Sequence, residues 1–252
     1  MWDNPRLMNL AANAVYGVAA FIVLCITVIA VVNSQLFPLR KVSVQGAPQH
    51  LDIAAVEQAL SGHVVGNFFG VDLVAVRDAM ESIPWVRRVE VRRHWPDTIV
   101  AKVEEHKALA RWHDERLVNT HGELFGGRVD AELPRFNGPS GTEAAVTAHY
   151  REFARLVSAL DMRITDIELS PRHAWELKLA GEERELTIML GREQMQHSAA
   201  ERLQRFVAIY PTTVGPLHRD IGYVDLRYPN GFALRVPGLE KMEIQNKKAG
   251  SA

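Results

Sequence analysis

Hydrophobic and polar positions change their period several times along this chain, and each change marks an element. Between Arg6 and Arg40 there is no charged side chain, and Val15–Val32 is apolar apart from Tyr16, Gly17 and Thr27. A bilayer core about 30 Å thick needs about 20 helical residues, which this stretch supplies. The alternative is a cleaved signal peptide, whose apolar region normally covers about 7–15 residues behind a basic start. Here the run is longer, Arg6 is the only basic residue before it, and no A-x-A cleavage site follows. The reading is therefore an uncleaved anchor over residues 15–36 behind a tail of residues 1–14. Charge leaves its direction open, since Arg6 and the amino terminus on one side stand against Arg40 and Lys41 on the other.

Past the anchor, Arg40–Gln45 alternates with Val42 and Val44 on one face, which predicts a strand closed by Gly46-Ala47-Pro48. A helix is expected over Leu51–Leu60, with Asp52 as its N-cap and Ile53, Val56 and Leu60 on one face. The glycine-rich stretch Gly62–Gly70 breaks that pattern. Asp72 opens a second helix with Leu73, Val76 and Met80 on its face, stopping before Pro84. Val89 and Val91 then alternate with Glu90 and Arg92, Pro96-Asp97 turns the chain, and Ile99, Ala101 and Val103 alternate back. The order β-α-α-β-β makes a small α+β domain over residues 38–107.

A second α+β domain, mixed β with two helices, is expected over residues 108–240. Arg116–Thr120 and Glu123–Phe125 flank His121-Gly122 as a hairpin, while Pro134 and Asn137-Gly138-Pro139-Ser140-Gly141 read as loops. Val146, Tyr150, Phe153, Val157 and Leu160 form the stripe of an amphipathic helix. Period-two runs around Ile167 and Leu169, Trp175 to Leu179, and Leu186 to Leu190 predict three strands. A further helix carries Ala199, Leu203, Phe206 and Tyr210 and ends at Pro211. Tyr223–Tyr228 is the last clear strand, and Phe232–Val236 extends it or pairs with it across Asn230-Gly231. The polar tail 241–252 is expected to be disordered.

Composition narrows the chemistry. With 29 basic and 30 acidic residues the net charge is −1, so no overall field favours nucleic acid. The single cysteine, Cys25, lies inside the apolar segment, which excludes a disulfide framework and a cysteine-based site elsewhere. The ten histidines show no metal-ligand spacing, and no nucleophile elbow or phosphate-binding glycine loop occurs. Glu104-Glu105, adjacent on a strand, point to opposite faces and cannot converge on one bond. In the basic run Arg87–Trp95, Arg88, Glu90 and Arg92 share one strand face, so it reads as a solvated face with its own counter-charge. Trp85, Trp95, Trp112 and Trp175 read as core residues. Phe68-Phe69 either fills a helix corner or offers an exposed contact. No catalytic constellation, cofactor motif or metal site emerges, which leaves a non-enzymatic binding protein built on sheet edges.

Several runs resemble the FtsQ/DivIB division proteins. Ile83-Pro84-Trp85-Val86-Arg87-Arg88-Val89 through Arg93-His94-Trp95-Pro96-Asp97 is similar to the end of that family's POTRA domain. Ala110-Arg111-Trp112, Val118-Asn119-Thr120-His121-Gly122, Asn137-Gly138-Pro139, Leu190-Gly191-Arg192, Arg205-Phe206-Val207 with Tyr210-Pro211, and Tyr223-Val224-Asp225-Leu226-Arg227-Tyr228 resemble its β domain in order. The likeness covers residues 15–236. It implies a single-pass inner-membrane protein at the division septum, with a cytoplasmic amino terminus and a periplasmic POTRA–β pair. The implied role is a scaffold that binds FtsB, FtsL and other divisome proteins and helps recruit or regulate septal wall synthesis, without nucleic acid or small-molecule substrate. Partner contact maps onto Tyr228, Asn230, Gly231 and Phe232, with Arg172 as a partner-facing arginine. Ala208 and Pro229 depart from the family's contact set. The other class such a sequence could join is the POTRA-containing envelope assembly and transport factors.

Overall fold

The computed structural model describes residues 5–32, 34, 37–46, 49–64, 66–182, 184–194, 197–213, 221–228 and 231–235. Asn230 and the tail from 241, both assigned from the sequence, lie outside the described residues. The chain divides at Glu105/His106 into two compact units.

The first unit opens with helix α1, Pro5–Val32. Its stretch Met8–Val32 is long and apolar enough to cross a membrane, and its side chains stand open along their length. Then come β1 (Lys41–Gln45), α2 (Ile53–Leu60), α3 (Leu73–Glu81), β2 (Val86–His94) and β3 (Thr98–Glu105), the β-α-α-β-β order expected. Two aspartates start the helices. Asp52 accepts from Ala54 N, and Asp72 from Val74 N and Ala75 N, satisfying amides that have no partner within the helix. The sheet order is β1-β3-β2, with β1 parallel and β2 antiparallel to the central strand. Val56, Leu60, Val76 and Met80 of the helices pack on Val89, Ile99, Ala101 and Val103 of the sheet.

Two expectations change here, and one left open is decided. Ile53 is 75 % exposed, because at the first helical position it points off the α2 face that Val56 and Leu60 bury. Phe68 is buried while Phe69 remains 40 % exposed, so the pair divides between core and surface. Trp95 is not a core residue but stands 71 % exposed at the β2–β3 turn. The basic run is a solvated strand face as expected, with one exception. Arg93, though exposed, donates to the carbonyls of Phe68, Phe69 and Val71.

The second unit contains β4 (Ala108–Trp112), β5 (Arg116–Asn119), β6 (Leu124–Phe125), β7 (Arg135–Asn137), α4 (Glu143–Val157, with a 3₁₀ turn Ser158–Leu160), β8 (Arg163–Leu169), β9 (Ala174–Ala180), β10 (Glu185–Arg192), α5 (Ala199–Thr213), β11 (Tyr223–Asp225) and β12 (Ala233–Arg235). Among the described residues these strands form one sheet in the order β12-β11-β10-β9-β8-β7-β4-β5-β6. Val146, Phe153 and Val157 of α4 and Leu203 and Phe206 of α5 bury one face of it against Ile167, Trp175, Leu177, Ile188 and Val224. Strand β7 falls in a run read as loop. It has only three residues, so no period can show, and it exists because β4 and β8 pair with it in parallel. Helix α5 also continues past Pro211 to Thr213, where both threonine hydroxyls donate to Ile209 O and close the last turn.

Candidate partner-binding edge

One side of β12 pairs with β11 through Tyr223↔Arg235, Val224↔Leu234 and Asp225↔Ala233; its other side meets no described strand. The end of a sheet is where a further strand can be added. Strand β11 runs parallel to β10, from Thr187↔Tyr223 to Met189↔Asp225, and Leu226 N still donates to Met189 O at 2.9 Å. The strand expected over Tyr223–Tyr228 stops at Asp225 because that side chain turns the chain. Asp225 Oδ1 accepts from Arg227 N at 3.0 Å and from Arg227 Nε at 2.8 Å. The hydrogen bond from Arg227, opposed by burial, holds the Asp225 carboxyl below its usual range. Gly191, at φ +77° beside a bulge in β10, makes room for this: a Cβ there would stand 2.8 Å from Arg227 Cγ.

The turned chain closes one wall of a cleft of about 320 Å³. Leu226, Tyr228, Gly231 and Phe232 form that wall, and Arg202, Arg205, Phe206, Ala208 and Ile209 of α5 form the other. Tyr228 is 56 % exposed at the rim. Phe232 is committed to the domain, edge-on to Phe206 with ring centres 5.6 Å apart. A methyl group at Gly231 would meet no atom of the described residues within 4 Å.

Three of the residues named from the sequence, Tyr228, Gly231 and Phe232, therefore meet at one cleft, and they lead into the edge strand without being part of it. Arg172 is not in the cleft. It lies exposed in the β8–β9 turn, at the sheet end where β12 begins, with β10 and β11 between. Three strand spacings of about 4.8 Å separate β9, which follows that turn, from β12. Sequence reasoning missed Ile209, an apolar residue off the buried stripe of α5, and missed that Ala233–Arg235 is the edge itself.

On the face away from the helices, Glu168 and Glu176 stand directly opposite each other on β8 and β9. Burial first, then the Glu168 charge, raises the Glu176 pKa, with Lys178 opposing. A carboxyl whose folded pKa lies above its unfolded value favours the fold while protonated, and that contribution disappears as pH climbs through the folded value. Asp225 has the opposite sign, contributing at neutral pH and losing its contribution as pH falls through its depressed value. Glu176→Gln should therefore raise stability at pH 7 by a few tenths to about 1 kcal/mol and flatten the decline that follows as pH climbs through the carboxyl's raised folded value. Asp225→Asn should lower stability at pH 7 and lose its effect in acid. Thermal melts from pH 3 to 8 (roughly the carboxylate and neutral range) check both, and identical pH profiles for the two variants would contradict the assignment. Among the described residues, no group of three or more His, Cys, Asp or Glu is placed to hold a metal ion.

Comparison with known proteins places both units. Residues 37–106 match the POTRA domain, FtsQ-type, and residues 110–227 match the C-terminal region of the cell division protein FtsQ/DivIB. The chain is 39 % identical to the cell division protein FtsQ of Burkholderia pseudomallei over 98 % of its length and 99 % of the relative's. The chain belongs to the FtsQ/DivIB family of cell division proteins. Similarity to the FtsQ proteins of Bordetella pertussis (36 %, covering 100 % and 99 % of the two chains) and Coxiella burnetii (31 %, covering 92 % and 94 %) is likewise nearly end to end. The POTRA domain of this family member is thus the β-α-α-β-β unit, and the family's C-terminal region is the unit that carries the cleft.

Proposed function

We propose that this division protein is a membrane-anchored, non-enzymatic scaffold whose second unit binds an extended segment of a small coiled-coil partner of the FtsB or FtsL type. The observation that supports it is the position of β12 at the end of the described sheet, beside an apolar cleft walled by α5. A partner strand completes the sheet through main-chain hydrogen bonds, one of its side chains enters the cleft against Ile209 and Tyr228, and Arg172 faces an acidic group further along it. Recognition by backbone tolerates Ala208, because the edge supplies most of the contact. The anchor is α1, with the short amino-terminal part cytoplasmic and both units exported to the septum, where binding helps assemble or regulate wall synthesis. Protease added to spheroplasts should digest both units; their protection would contradict that direction.

Binding is tested by calorimetry on the full chain with a peptide from such a partner. Tyr228→Ala removes an exposed anchor and is expected to cost about 2 kcal/mol or more, roughly thirtyfold in affinity. Gly231→Asp puts a charge where the second backbone must approach and should abolish binding. Both positions are exposed, and among the described residues none lies within 4 Å of a Cβ at Gly231, so the unit is expected to stay folded. Unchanged affinity in both variants would move the site elsewhere.

A further inference from the structure

The end of α1 is held by the loop Gly66–Gly70 of its own unit. Asn67 Nδ2 donates to Val32 O at 2.6 Å and Ser34 O at 3.1 Å, while its Oδ1 accepts from Phe69 N and Gly70 N. Phe68 N donates to Phe37 O at 2.9 Å. Carbonyls at a helix carboxyl end have no partner within the helix, so these bonds fasten the POTRA domain to the point where the apolar helix stops.

Other contacts bring more of the surface to that end. Phe69 lies edge-on to Phe37, ring centres 5.2 Å apart. The three bonds from Arg93 to the carbonyls of Phe68, Phe69 and Val71 tie the end of β2 to the same loop. Arg40 N donates to Asp97 O at 3.0 Å, which brings the Trp95-Pro96-Asp97 turn beside the chain leaving α1. Exposed Trp95 and half-exposed Phe69 are thus collected at the helix end, with Arg40, Lys41 and Arg92 exposed around them. Of the acidic side chains on these segments, Asp97 accepts from Thr98 Oγ1, Asp72 caps α3, and Glu90 shares the strand face of Arg92.

We infer that this end of the POTRA domain seats on the bilayer surface, with Trp95 and Phe69 among the lipid headgroups and Arg40, Lys41 and Arg92 against their phosphates. The occupant follows from continuity and charge. If α1 spans the membrane, lipid headgroups begin where α1 ends, at the residues bonded to Asn67. Indole rings prefer that polar–apolar boundary, and exposed basic side chains favour anionic lipid. The seat would hold the domain at a fixed tilt, so that α1 and the POTRA domain move as one body relative to the membrane.

The inference rests on α1 spanning the bilayer, and one preparation separates the two. The full chain is reconstituted into vesicles of phosphatidylcholine and phosphatidylglycerol whose acyl chains are brominated near the headgroup end, then washed with alkaline carbonate. Trp95 emission is taken as the difference between the unmodified chain and Trp95→Phe. Retained protein should show a blue-shifted Trp95 component that loses most of its intensity to bromine. That loss should shrink at high salt, without phosphatidylglycerol, and in Arg40→Glu/Lys41→Glu/Arg92→Glu. Release by carbonate would overturn the span and the seat together. Retention with an unquenched, water-exposed Trp95 would overturn the seat alone. An indole shielded from iodide yet unquenched by lipid would place a protein on that face instead.

Discussion

In Arg202→Leu the second unit is expected to lose about 3–5 kcal/mol of stability. Arg202 sits in α5 with 4 % of its surface exposed. Its guanidinium donates to three carbonyls: Nε to Leu190 O at 2.8 Å, and the terminal nitrogens to His197 O at 2.5 Å and Arg192 O at 2.6 Å. These belong to the end of β10 and to the approach to α5, so one side chain fixes the helix against the sheet. Burial, opposed by the Glu193 charge, lowers its pKa from the ordinary arginine value, and the three carbonyl dipoles are what hold the cation there. Leucine fills the volume but leaves three acceptors dry. Arg202→Lys should rescue little, because one ammonium cannot copy a planar fork aimed at three divergent oxygens. Urea unfolding followed by the near-ultraviolet signal of the buried Trp112 and Trp175 should show the loss. Partner affinity should fall as well, since α5 walls the cleft. An unchanged midpoint would mean that water reaches those carbonyls.

Gly46→Ala should have a comparable effect on the first unit, about 3–5 kcal/mol. Gly46 has φ +119°, a conformation few side chains tolerate, and a Cβ there would lie 2.2 Å from Val103 O. That oxygen belongs to the central strand β3, so relief requires moving backbone at the centre of the sheet. With 1.4 kcal/mol per tenfold, amide exchange protection in β1 and β3 should drop more than about a hundredfold. Gly231→Ala, with open space around it, serves as the control and should leave exchange unchanged. Equal protection in both variants would show that the approach at Gly46 relaxes without cost.

The first unit could be read closely from its sequence because its signals are local. Asp52 and Asp72 cap helices at the positions their side-chain chemistry suggests, and Ile99, Ala101 and Val103 alternate into the core as written. Trp95 shows the limit of that reading: an aromatic residue is assigned to the core by type, whereas its exposure comes from the turn that carries it. In the second unit, α4, α5 and the strands β8–β10 have enough length for a period to declare itself. Strand β7 has three residues, and its pairing depends on β4 and β8, distant in the chain, whereas β11 and β12 fall inside the runs Tyr223–Tyr228 and Phe232–Val236 but are shorter than those runs. The site shares that fate. Tyr228 and Gly231 could be named by resemblance, but the cleft beside them needs Ile209 from α5, and the edge strand needs β11 to be in place first.

The central claim, that β12 is the edge a partner strand completes, is tested most directly by amide hydrogen exchange on the full chain with and without an FtsB-type partner. The account predicts slowed exchange across Ala233–Arg235 and around Tyr228 on binding, with the opposite sheet edge at Leu124–Phe125 unchanged. Protection that instead appears at Leu124–Phe125, or along β1 of the POTRA domain, with Ala233–Arg235 exchanging as in the free protein, would contradict it.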